Sequence, residues 1–220
     1  MSKKQGICAY CGEFKFITRD HIPPKNLFQK PRPQNLITVP CCEDCRGGWS
    51  ADDEYFRLAV TVNSNAEGNP NAMKNQEVIR RSLRKIGKWK FSQHINQSLG
   101  HVSIQTPGGL FLGKAPVIKV QKKRIDRVAQ RIIRGLFFEE FKMPVPNGYE
   151  VTNQMRQHGV GEILSKINPT LFKPWREIGT RHFAYTYAQT GEDPYSVVWL
   201  SVFYDALPFL GFTIKPKHMR

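Results

Sequence analysis

Two cysteine pairs of equal spacing, Cys8-x2-Cys11 and Cys42-x2-Cys45, constrain this 220-residue chain more than any other feature. A two-residue gap lets one tight turn present both thiolates to a single ion. Two such turns complete a tetrahedral sulfur site of the kind zinc prefers. Four thiolates leave no open coordination position, so the expected Zn2+ is structural. It would clamp the two ends of residues 8–45, in a unit with little core of its own. All five cysteines fall within the first 45 residues, which fits metal better than disulfides in a reducing compartment. Cys41 is ambiguous. Cys41-x3-Cys45 is an alternative pairing, but Cys42 gives the matched spacing and leaves Cys41 as a spare thiol or packing residue.

Charge narrows the partner. The chain carries a net +15 and a pI near 9.8, which points to a polyanion, nucleic acid before an anionic membrane surface. The excess is uneven. Residues 1–60 hold nine Lys/Arg against seven Asp/Glu, so the remaining +13 lies beyond them. No run of about 18 apolar residues spans a membrane. The start, "MSKKQGICAY", lacks an apolar signal core, and a cytoplasmic location is expected.

Between the knuckles stand Asp20-His21-Ile22-Pro23-Pro24 and then Asn35-Leu36-Ile37. Together with Cys8, Cys11, "RDHIPP", "QNLITVP", Cys42 and Cys45, this order resembles the HNH endonuclease family, of the ββα-metal superfold. The likeness covers roughly residues 7–57, about a quarter of the chain. The longer pattern "VPCCEDC…WSADDEYF" is also similar to a group of HNH-type proteins with a basic C-terminal extension. The resemblance implies a metal-dependent endonuclease on DNA, expected to be double-stranded. Phosphodiester hydrolysis needs an activated water, and an imidazole neutral near pH 7 suits that task, so His21 is the candidate general base. A hard cation, Mg2+ or Mn2+, would bridge to phosphate oxygens. The family pattern makes Asp20 its ligand, and makes Asn35 the residue that fixes the His21 loop through side-chain-to-backbone bonds. Pro23 and Pro24 would stiffen the chain after the base.

One position departs from the family. An Asn or His usually follows the last knuckle cysteine and helps bind the cation. Here it is Arg46, which cannot coordinate a cation. Three outcomes are open: Arg46 supplies charge to the phosphate itself, Asp52 or Asp53 serves as second ligand, or the domain binds nucleic acid without cutting.

The fold expected is α+β: a zinc-stapled ββα-metal unit over residues 1–60, a linker or loop at 61–75, and a basic domain at 76–220 with an antiparallel sheet and packed helices. Ser50 and Asp53 fit a capping pattern for a helix from Ser50. The Asn/Gly/Ser-rich 61–75 stretch reads as exposed. Residues 76–90 suggest a short basic helix, 101–120 strands around "TPGG", and "SVVWLSVFY" a central strand. Residues 121–140 are the clearest helix, with Ile125, Val128, Ile132, Leu136 and Phe137 at helical spacing. On another stripe stand Lys123, Arg127, Arg131 and Arg134, read either as a solvated face or as a phosphate-contacting ridge. The tryptophans, Trp49 among them, read as core. His94, His101, His158, His182 and His218 show no ligand-like spacing.

Overall fold

A computed structural model describes residues 4–83, 99–155, 168–189, 191 and 193–216. Across them the chain is α+β, with four α-helices and three antiparallel sheets. The first sheet has the order β1 (Gln5–Ile7), β2 (Phe14–Ile22), β3 (Ile37–Cys42). Helices α1 (Glu43–Arg46), α2 (Trp49–Thr61) and α3 (Pro70–Leu83) follow, then a hairpin of β4 (Leu99–Gln105) and β5 (Phe111–Ile118). Helix α4 (Lys122–Phe141) leads into β6 (Glu150–Met155), β7 (Arg176–Ile178), β8 (Phe183–Gln189), β9 (Val197–Phe203) and β10 (Leu207–Ile214). These five strands pair as β6-β10-β9-β8-β7, so β9 is central. Its sequence, VVWLSVF, is buried almost throughout, as a β-branched and aromatic run covered on both faces must be.

Helix α4 joins the two larger sheets. Its apolar stripe, Ile125, Val128, Ile132, Leu136 and Phe137, is buried. Two glycines permit the close approach on either side. A Cβ on Gly135 would lie 2.4 Å from Ile22 Cγ1 at the end of β2, and one on Gly211 in β10 would lie 2.4 Å from Ile133 Cδ1. A single apolar cluster therefore runs from Ala9, Ile22 and Val39 through α4 to Trp199, Phe203 and Phe209. Residues 1–60 and 76–220 share this core rather than dividing at a linker.

The 61–75 stretch is likewise built in. Asn69 Oδ1 accepts from the backbone N–H groups of Asn71 and Ala72 at 2.9 and 3.2 Å, which caps α3, with Pro70 at its first turn. Asn69, Ala72 and Asn75 are buried. The asparagines that read as loop composition are spent on a cap and on tertiary hydrogen bonds. The basic helix expected over 76–90 is continuous with α3 to Leu83, and residues 84–90 lie outside the described residues, as do Trp89, His94, His158 and His218. Helix α2 begins at Trp49, one residue before the expected Ser50, after Gly48 at φ +79° and with no side-chain cap. No helix among the described residues is long and apolar enough to cross a membrane.

Candidate functional site

The four matched cysteines converge. Their Sγ atoms all lie within 4.8 Å of one another, and Cys11 Sγ stands 3.8 Å from Cys42 Sγ. A Zn–S bond of about 2.3 Å implies edges of roughly 3.8 Å in a regular tetrahedron, so the sulfurs present fit zinc. The first knuckle turn follows β1: Gly12 N donates to Cys8 O at 3.0 Å, with Gly12 at φ +74°. The second runs from the end of β3 into α1. Burial pushes the Cys11 and Cys45 thiols up, so a cation among them offsets the cost of holding thiolates there. Cys41 is fully buried and outside the cluster; its thiol donates to Cys42 O at 3.2 Å.

Beside this cluster opens a cleft of about 340 Å³. The end of β2 supplies Arg19, Asp20 and His21. The following turn supplies Lys25 and Asn26, and the α1–α2 segment supplies Arg46, Trp49, Ser50 and Asp53. Three of the four catalytic residues expected from sequence therefore line one space. Burial, and next the charge of Lys25, hold the His21 imidazole below its ordinary value, so it is neutral at pH 7. Arg46 Nη1 donates to Thr18 Oγ1 at 3.1 Å, which steadies the guanidinium on β2.

Asn35, the fourth, does something else. Its Nδ2 donates to Glu177 O at 2.8 Å and its Oδ1 accepts from Gly179 N at 3.2 Å. It ties the β2–β3 connection to the end of β7 rather than fixing His21. The turn after His21 is held by residues that no sequence signal marks. Asn75 Nδ2 donates to Leu27 O at 2.7 Å, and Tyr204 hydroxyl donates to the same oxygen at 3.1 Å.

Beneath the cleft lies a buried ion network. Arg131, only 6% exposed, pairs with Asp53 and stands with Nε 3.9 Å from Asp20 Oδ2. Its guanidinium stacks 4.3 Å over the Trp49 ring, and Tyr10 meets Trp49 edge-on at 5.0 Å. Burial, then the Asp20 carboxylate, keep the Tyr10 phenol protonated, and it donates to Asp20 Oδ2 at 2.6 Å. Burial pushes the Asp53 carboxyl up, against the pull of Arg131. Trp49, expected as core, is thus a cleft wall with one ring face on a cation.

The basic stripe of α4 is not one ridge. Lys123 is exposed. Arg127 Nε and Arg124 Nε each reach Asp52 at 2.7 Å. Arg131 is buried as described, because α2 packs over that side of α4. Arg134 is half-buried, its pKa lowered by burial and raised again by nearby Cys45. Asp52 thus gives both its oxygens to arginines, whereas Asp53 gives Oδ1 to Arg131. Among the described residues only the four cysteines bring three or more metal-ligating side chains together. For a catalytic Mg2+ or Mn2+ the cleft offers Asp20 Oδ1, which neither Tyr10 nor Arg131 engages, and Asp53 Oδ2, the oxygen of that carboxylate that Arg131 does not take. That fits such an ion only in company with phosphate oxygens and water, the usual way Mg2+ is held.

Comparison with protein-family models, with curated proteins and with solved structures finds no match to this chain.

Proposed function

We propose that the chain is an HNH-type endonuclease that hydrolyses phosphodiester bonds in double-stranded DNA, with His21 as general base. One observation carries the reading: a neutral imidazole meets three cationic side chains, Arg19, Lys25 and Arg46, around one open cleft beside a cysteine cluster fit for zinc. A phosphate in that cleft meets cations worth most where water is partly excluded. His21 takes a proton from water as the oxygen attacks phosphorus; the bond from phosphorus to the leaving sugar oxygen breaks, and that oxygen takes a proton from solvent water. Arg46 takes up charge on the phosphate oxygens, a task a planar guanidinium does well. Asp20 would hold Mg2+ or Mn2+, which supplies further positive charge at the phosphate. The chain order β2, β3, α2 around the cysteine clip supports a ββα-metal reading of residues 1–60.

A second reading, a zinc-containing nucleic-acid binder that does not cut, is favoured by two observations. Arg46 stands where the family has a metal ligand, and Asp20 Oδ2 already serves Tyr10 and Arg131. Plasmid DNA incubated with the protein in Mg2+ or Mn2+, beside an EDTA control and an Arg46→Asn variant, separates the two. The nuclease reading expects nicked or linear product that EDTA abolishes. Retained DNA binding with no product in either ion supports the binder, and cutting gained only in Arg46→Asn would mean that the native residue disables the metal.

A further inference from the structure

The β4–β5 hairpin contributes no residue to the cleft. From His101 to Leu112 every residue but Thr106 is exposed. Its tip carries three consecutive apolar side chains in water, Leu110, Phe111 and Leu112, at 67, 55 and 61% exposure. On the strands the register sets Val102 opposite Ala115 and Ser103 opposite Lys114. A lone two-stranded ribbon is marginal in water, and apolar residues grouped on such an element mark a contact surface.

Charge names the partner. Residues 99–120 contain no Asp or Glu, and Lys114 and Lys119 are followed at once by Lys122 and Lys123. The root of the ribbon is tied to α2, the helix that also carries Asp53 of the cleft wall: Gln121 N donates to Tyr55 hydroxyl at 2.7 Å. Two strands about 4.8 Å apart make a ribbon that the roughly 12 Å major groove of a duplex admits. Apolar side chains at such a tip can contact thymine methyls or wedge between base steps.

We propose that this ribbon is a DNA-docking arm that enters a groove of the duplex, with Lys114 and Lys119 on phosphates and Leu110, Phe111 and Leu112 against bases. The proposal rests on the reading that the chain engages DNA, and it adds a second contact outside the cleft. Lys122 and Lys123 extend the same cationic track along the start of α4.

The test is fluorescence anisotropy of a labelled duplex across a salt series. It compares the full chain with a Lys114→Gln/Lys119→Gln variant and with a Leu110→Ser/Phe111→Ser variant; circular dichroism verifies their fold, and both changes sit on exposed side chains. Removing two phosphate contacts is expected to reduce the slope of log K against log salt by about 1.8. The apolar variant is expected to lose roughly tenfold in affinity with the slope unchanged. Unchanged affinity and slope in both variants overturns the arm. So does a dimer in sedimentation that Leu110→Ser/Phe111→Ser converts to monomer, because the tip then serves a second copy. If the arm variants lose affinity while the native chain cuts no DNA, the arm stands and the nuclease reading falls. If the native chain binds no duplex at low salt, both fall.

Discussion

Replacing Arg131 by Met probes the network under the cleft, because the substitution keeps most of the apolar stem and removes the guanidinium with its charge and hydrogen bonds. Arg131 is 6% exposed, pairs with Asp53 and lies 3.9 Å from Asp20 Oδ2. Its loss strands two largely buried carboxylates near each other and takes a cation off the Trp49 face. Breaking a buried pair from one side costs about 3–5 kcal/mol, a large share of the roughly 5–15 kcal/mol that holds a domain folded. At about 2–4 °C per kcal/mol for a chain of this size, the melting temperature should fall by roughly 6–20 °C. The sign of the pH dependence follows from Asp53, whose carboxyl is already pushed up by burial and held back by Arg131. Without the cation its folded pKa rises further above the unfolded value of about 3.9. A group with a raised folded pKa is most favourable to the fold below its unfolded pKa, and that contribution is lost as pH rises through the folded one. The destabilisation of Arg131→Met should therefore be larger at pH 7 than at pH 5. Urea titrations of both proteins at the two pH values measure it. A loss under about 1 kcal/mol at pH 7, or a larger loss at pH 5, would refute the reasoning. Arg131→Met/Asp53→Leu should recover at least about 1 kcal/mol relative to the sum of the single changes.

Further expectations follow from the clip and the core. Metal analysis of the purified protein should find one zinc per chain; Cys42→Ser should lose it and Cys41→Ser should keep it, and equal zinc in both variants would undo the ligand assignment. Gly135→Ala should destabilise, although alanine ordinarily favours a helix by about 1 kcal/mol. The new methyl group would sit 2.4 Å from Ile22 Cγ1, and overpacking costs about 1–3 kcal/mol, so a higher melting temperature would contradict the packing of α4 on β2.

The clip, the long helix and the central strand were legible because each is a local signal. Cys-x2-Cys is one turn, the Ile125–Phe137 periodicity is one face, and VVWLSVF is one buried run. What escaped the sequence is what packs against those faces. A stripe of Lys123, Arg127, Arg131 and Arg134 looks the same whether water or another helix covers it, and α2 covers part of it. Asp53 read as a capping residue because its local context allows that role, yet its partner lies 78 positions away. Asn35 read as a loop clamp for His21, while its hydrogen bonds reach residues 177 and 179. The asparagines near 69–75 read as linker composition, since a one-dimensional pattern cannot distinguish a solvated amide from one spent on a cap or on Leu27 O.

The most direct measurement is the rate of plasmid cleavage in Mn2+ by the native chain beside His21→Ala, with zinc content and DNA affinity matched between the two. A positioned general base is worth about 10²–10⁴-fold, so the account predicts a loss of at least about 100-fold with binding intact. Equal cleavage rates in the two proteins would contradict it.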